Sequence, residues 1–163
     1  MTRSDRQMSD TDTRAFLRRN ALAHVGTMDS ENWPYVVPLM YVYEEGNLLY
    51  LHTGSRDGHF RANIAHNDKI CVTVSAQGPM HRGAPSACNS SLVYESAVVF
   101  GRVRVCDGAD LDQKKTWFFD RLLERLEDSA ASYATGYNML KQIVLYEVAV
   151  QTVTGKLNPG LHH

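Results

Sequence analysis

The sequence predicts a β-rich α+β domain: about six antiparallel strands that close toward a barrel, with two to three helices outside it. Three observations point there. Several stretches alternate with a period of two, the clearest being PYVVPLMYVYEEGNLLYLHT. Within that stretch Glu45-Gly46-Asn47 separates two β-rich runs, which is hairpin chemistry. The helical patterns are few and separated, so strands and helices do not alternate as a parallel sheet requires. Consecutive antiparallel strands of this length remove their exposed edges by closing on themselves.

The first element is a helix of one to three turns. Asp10-Thr11-Asp12 offers capping oxygens, Ala15, Phe16 and Leu17 begin an apolar face, and Arg18 and Arg19 fall in the last turn, where basic groups complement the helix dipole. A strand follows, with Leu22, His24, Gly26 and Met28 alternating against Ala23, Val25 and Thr27 until DSEN supplies a turn. In the hairpin, Pro34 and Pro38 lack ladder donors, which predicts an edge, a bulge or a ligand-facing break. GSRDG reads as a loop, HFRANIAHND as a short helix with Phe60 and Ile64 on one face, and KICVTVSA as a strand. Residues 76–91, AQGPMHRGAPSACNSS, read as a long loop of the kind that covers or lines a binding site. LVYESAVVFGRVRVCD is a long strand bent at Gly101, with Arg102 and Arg104 on one face and Val103 and Val105 on the other. In DLDQKKTWFFDRLLERLED, Leu111, Lys115, Phe118, Leu122 and Leu126 recur at helical spacing. A connector rich in Ser, Ala and Tyr leads to the last strand, IVLYEVAVQTVTG.

The chain has 163 residues, the size of one domain spanning 1–163, with residues 1–10 and 157–163 expected as flexible tails. Seventeen basic against eighteen acidic residues give a net charge of −1, which leaves little electrostatic drive toward nucleic acid. No apolar run approaches the ~20 residues of a membrane span, and MTRSDRQMSD lacks a signal peptide's apolar core. Cys71, Cys88 and Cys106 form no CxxC pair, a pattern of reduced thiols that fits the cytoplasm.

Familiar nucleotide and hydrolase motifs are missing: no GxGxxG follows a strand, and GxxxxGK[ST], HExxH and GxSxG do not occur. His52, His59 and His66 are evenly spaced but span a strand end, a loop and a helix, so the spacing gives no metal site. The join LHTGSRDGHFRANI is more informative. It combines the hydroxyls of Thr53 and Ser55, the guanidinium groups of Arg56 and Arg61, two glycines and a helix N-terminus. Free amide donors, the positive end of a helix dipole and bidentate cations are the parts of a phosphate site. An ordinary polar turn with solvated arginines has the same composition.

The order of a helix, then YVVPLMYVYEEGNLLYLHTGSRDGHFRANIAHNDKICVTVS, then YESAVVFGRVRV, then VTGK resembles the FMN-binding split-barrel superfamily, which includes pyridoxamine 5'-phosphate oxidase. The sequence is most similar to its nitroimidazole-resistance branch of flavin-nucleotide-binding proteins, over roughly residues 12–156. The resemblance implies a six-stranded antiparallel split β-barrel and a homodimer with FMN at the subunit interface. It places Pro38, Leu39, Met40 and Tyr41 along the isoalloxazine ring, with their backbone at its pyrimidine edge, and His52, Thr53, Ser55, Arg56, His59 and Arg61 around the ribityl phosphate. Tyr94, Ser96 and Lys156 match further cofactor-binding positions, some contributed from the partner subunit. The family commonly has a lysine after the motif histidine; here that residue is Phe60, and Arg56 or Arg61 has to replace its charge.

FMN would carry the redox chemistry, and the implied reaction is reduction of a small molecule, in this branch a nitro compound. By its place in the motif His59 is the candidate catalytic residue, a proton donor or substrate contact; a histidine bonded to phosphate or backbone is the alternative. Trp33 and Tyr35 are candidates to cover a flavin, although aromatics beside a hairpin more often pack. The ending TGKLNPGLHH lacks the Arg-rich substrate-binding tail of true pyridoxamine phosphate oxidases. Three other readings stay open: flavin binding without efficient turnover, the same barrel with deazaflavin or haem, and a barrel with a purely structural role.

Overall fold

Why the strands close is visible in their burial pattern. The computed structural model describes residues 4–54 and 57–160. In β1 (Leu22–Met28) the alternate residues Ala23, Val25 and Thr27 are buried, so one face of the strand must meet a core. Alternating burial recurs along much of β2 (Pro34–Glu44), β3 (Leu48–Gly54), β4 (Lys69–His81) and β5 (Ser91–Val105), and β6 (Ile143–Asn158) buries Leu145, Tyr146 and Val148. All six pair antiparallel in the closed order β1-β2-β3-β6-β5-β4, with β4 returning to β1. Two seams are short. β2 meets β3 only over Tyr41–Glu44, and β1 meets β4 only over His24–Gly26. The barrel is therefore split, and residues 34–40 of β2 pair with β1 alone. Pro34 and Pro38 lie on this half-paired stretch, where a missing N–H donor is tolerated.

Two apolar clusters fill the molecule. One occupies the barrel and includes Phe16, Val25, Tyr41, Leu51, Val72, Val99 and Tyr146. The second lies between the barrel wall and α3 (Leu111–Arg125), built from Val42, Cys106, Phe118, Leu122 and Leu145. Because α3 covers the outer wall there, Tyr41, Val42 and Tyr43 are buried consecutively and the alternation of β2 disappears. Lys115 is buried and its Nζ donates to the Leu140 carbonyl at 2.9 Å, tying α3 to the connector before β6. Leu126 is 51% exposed, because the helix ends at Arg125 and the stripe predicted from spacing stops one turn earlier.

Several boundaries differ from the sequence reading. Helix α1 (Asp10–Arg19) is capped by Ser9, whose Oγ accepts from the Asp12 amide at 3.0 Å; Asp10 and Asp12 lie in the first turn. The chain joins the barrel before residue 10: Gln7 bridges Lys156, and Met8 is buried while its amide donates to the Gly155 carbonyl. At the other end β6 continues through Leu157 to Asn158.

The long loop at 76–91 is mostly a hairpin. β4 runs on to His81 and β5 starts at Ser91, with Gln77 opposite Tyr94 and His81 opposite Ser91. Gly78 and Pro79 fall where the register shifts between Gln77 and Met80, so residues that read as loop form a bulge inside a ribbon. Only residues 82–90 connect the strands. The bend expected at Gly101 is a register shift against β6 between Phe100 and Gly101, and a Cβ at Gly101 would come within 2.6 Å of the Ala149 carbonyl oxygen.

Candidate functional site

The short helix α2 (His59–His66) starts at Gly58 without a side-chain cap. Its first-turn amides have no intrahelical partner, which is general for helix starts, and they carry the positive end of the dipole. Phe60 and Ile64 bury the helix against the barrel, as their spacing predicted. Phe60 meets the Tyr146 ring edge-on at 5.3 Å. The residue in place of the family's lysine is thus part of the core. Arg61 is exposed and paired with Asp57 at 3.0 Å. His59 is exposed, its ring stacked on that of Tyr35 with centroids 5.6 Å apart and planes at 28°. Asp57, Gly58, His59, Arg61, Ala62 and Ala65 line a surface depression of about 610 Å³. A Cβ built at Gly54 or Gly58 meets nothing within 4 Å, so the backbone there is open to a ligand.

β3 brings only half of its predicted pair to this place. Thr53 Oγ1 lies 2.9 Å from the Tyr146 hydroxyl, and through Tyr146 and Phe60 it connects with the first turn of α2. His52 points to the other side of the strand, toward α3, with ring centroids 5.3 Å from Phe118 and 5.1 Å from Phe119. Its Nδ1 is buried without a partner among the described residues, and burial lowers its pKa below the usual histidine value. The His52 ring therefore packs under α3, on the face of β3 opposite to Thr53. Ser55 and Arg56, expected in the same group, lie outside the described residues.

The four candidates on β2 also divide. Pro38 and Met40 are exposed on the outer face, while Leu39 packs toward the barrel core. Tyr41 is fully buried. Its hydroxyl donates to the Leu17 carbonyl at 2.7 Å, its amide donates to Ala21, and its carbonyl accepts from Arg125. The Tyr41 side chain is thus committed to the core, while Pro38 and Met40 are the members of this stretch whose side chains face outward.

The remaining candidates meet elsewhere. Ser96 faces Lys156 across β5 and β6, and Lys156 Nζ sits 5.8 Å from the centroid of the Tyr94 ring. Desolvation raises the Tyr94 phenol, but hydrogen bonds with Lys156 and Arg6 outweigh it and leave the pKa below its ordinary value. Thr53 is opposite Val144 on β6, whereas Lys156 is twelve residues further along that strand. The two sets of candidates therefore meet different stretches of β6, its start and its end.

The outer face between them carries exposed apolar side chains: Leu22 (55%), Val36 (61%), Met40 (42%) and Phe100 (51%), with Leu22 opposite Met40 and Cys71 opposite Phe100. Trp33 is also exposed, at 68%. The sequence reading missed Thr27 and Asn63, both buried and hydrogen-bonded to each other. Their signal was available: a polar residue at an inward position of β1, and one between Phe60 and Ile64 on the packing side of α2. No helix among the described residues is long and apolar enough to cross a membrane.

The family described as Pyridoxamine 5'-phosphate oxidase matches residues 9–157. Among solved structures, the chain is similar to a candidate 5-nitroimidazole antibiotic resistance protein from Bacteroides thetaiotaomicron, with TM-score 0.73 and 25% identity over 93% of this chain and 86% of that one. It is similar to a FAD and haem binding protein from Mycobacterium smegmatis, with TM-score 0.78 and 23% identity over 97% and 76%. A FAD-binding protein from Mesorhizobium loti gives TM-score 0.69 and 19% identity over 94% and 97%. No curated protein matches the sequence.

Proposed function

The chain belongs to the pyridoxamine 5'-phosphate oxidase family, and from that premise we propose that it binds FMN and acts as an oxidoreductase on a small molecule of the nitro-compound class. The observation that carries this reading is the start of α2. There a helix without a side-chain cap, the Arg61 guanidinium and open backbone at Gly58 gather around one depression, and the Thr53 hydroxyl at the end of β3 meets Tyr146, on which Phe60 of α2 packs. This donor set fits a phosphate: amides and a dipole end for the dianion, and a planar cation for bidentate pairing. The Arg61–Asp57 pair is exposed and weak, so an incoming phosphate can compete for the guanidinium.

In this reading Thr53, Arg61 and the first-turn amides hold the phosphate, while Pro38 and Met40 offer apolar surface to the ring. His59 holds or delivers a proton at an exposed imidazole nitrogen. FMN, when bound, supplies the one- and two-electron chemistry. The homodimer belongs to the same proposal. Two observations support it: the exposed apolar row of Leu22, Val36, Met40 and Phe100, and the placement of Thr53 and of the Ser96–Lys156 pair at opposite ends of β6 within one chain. A second copy laid on that face would let Lys156 serve the partner's cofactor.

The test is the visible spectrum of the purified protein before and after adding FMN and removing the excess. Retained flavin bands support the reading. A Soret band or no chromophore overturns it. With FMN retained, Arg61→Ala should weaken binding by about 1.5 kcal/mol or more, the lower range for a charge-assisted hydrogen bond. Unchanged affinity would remove Arg61 from the site.

A further inference from the structure

Thr27 and Tyr35 are direct cross-strand partners on β1 and β2. His59 and Asn63 are four residues apart on α2 and hence lie on one face of it. The two pairs grip each other. Asn63 Nδ2 donates to Thr27 Oγ1 at 3.0 Å, Thr27 Oγ1 donates to the Tyr35 carbonyl at 3.4 Å, and the Tyr35 ring stacks on His59. Thr27 and Asn63 are each only 3% exposed. The Asn63 carbonyl also accepts the amide of Asn67, which closes the helix.

Apolar packing of Phe60 and Ile64 holds α2 on the barrel but is non-directional, and by itself it permits the helix to roll. A buried hydrogen bond is directional, and breaking one of its partners leaves a desolvated group unsatisfied. A roll of α2 would swing Arg61 and the amides of residues 59–61 out of the depression that Asp57, Gly58 and His59 line with them. We propose that Thr27 and Asn63 are positioning residues, which lock the roll of α2 so that its first turn addresses the cofactor phosphate. This rests on the FMN reading above.

The test compares three variants of the full chain by FMN titration, following flavin fluorescence and visible circular dichroism, with urea melts alongside. Thr27→Val keeps the shape but removes the oxygen, and should raise the FMN Kd about tenfold. Thr27→Ser keeps the oxygen and should stay within about twofold of wild type. The double variant Thr27→Val/Asn63→Leu removes both partners, so no buried polar group is left unpaired and stability recovers. If the pair only stabilises the fold, affinity recovers with it; if the pair positions α2, affinity stays low and the dichroism of bound flavin stays altered. The double variant also carries the test if Thr27→Val does not fold. Wild-type affinity in Thr27→Val or in the double variant overturns the proposal while leaving the FMN reading intact. A wild-type protein that retains no FMN overturns both.

Discussion

His52 and Thr53 are consecutive on β3 and serve opposite sides of it: Thr53 Oγ1 meets the Tyr146 hydroxyl at 2.9 Å toward the barrel, and the His52 ring lies against Phe118 and Phe119 under α3. The period-two geometry of a strand makes this separation unavoidable. It puts Thr53 on the barrel side, at the Tyr146 side chain against which Phe60 of α2 also packs, and His52 under α3.

The position of His52 predicts a pH dependence of stability. Burial depresses its folded-state pKa below the value near 6.5 of an unfolded chain. The native state then binds fewer protons than the unfolded state between those two values, so its stability falls as pH drops through about 6.5 toward the folded pKa. Urea melts between about pH 5 and 7.5 should show this loss, and His52→Leu should reduce it. Parallel pH profiles for the two proteins would show that His52 does not carry the effect.

Arg125 clamps α3 to the wall of the barrel. Its guanidinium donates to the carbonyls of Asn20, Tyr41 and Tyr43, and its side chain is 12% exposed. Burial lowers its pKa, and the three carbonyls supply the polar contacts in place of water. Arg125→Met keeps most of the volume but leaves those oxygens without a donor, and should cost about 2–3 kcal/mol in denaturant melts. A loss below about 0.5 kcal/mol, typical of an ordinary surface site, would show that the clamp is not structural.

Gly155, in the TGK segment, is where α1 docks. A Cβ there would stand 2.0 Å from Thr13 Oγ1, and its carbonyl accepts the Met8 amide. Gly155→Ala should therefore displace α1 and the residues before it, at about 1–3 kcal/mol, the usual range for overpacking. Hydrogen exchange should rise across residues 8–19. Unchanged exchange there would mean that α1 adjusts without loosening.

The exposed apolar row predicts the assembly. Phe100 is half exposed opposite Cys71, and Phe100→Glu would place a charge in a dimer interface on that face. Light scattering should then report a monomer with weakened FMN retention. A wild-type monomer that binds FMN fully would contradict the dimer reading, and a Phe100→Glu dimer would move the interface elsewhere.

Much of this protein was legible from residues in order. The alternation of Ala23, Val25 and Thr27, the turn at Glu45-Gly46-Asn47, the bend at Gly101 and the stripe of Lys115, Phe118 and Leu122 are local signals, because strand period, turn chemistry and helical spacing act over a few residues. The meeting of His59 and Arg61 at the start of α2 was equally visible, since both fall in the first turn of a short predicted helix. Tertiary structure decided which side each neighbour serves. Tyr41 and His52 went to the core and to α3 because other elements cover those faces, and no local pattern encodes what will lie on top. Gly78 and Pro79 became a bulge because the partner strand continued beside them. The clamp of Thr27 on Asn63 joins residues 36 apart in sequence, a contact that exists only once β1 and α2 have met.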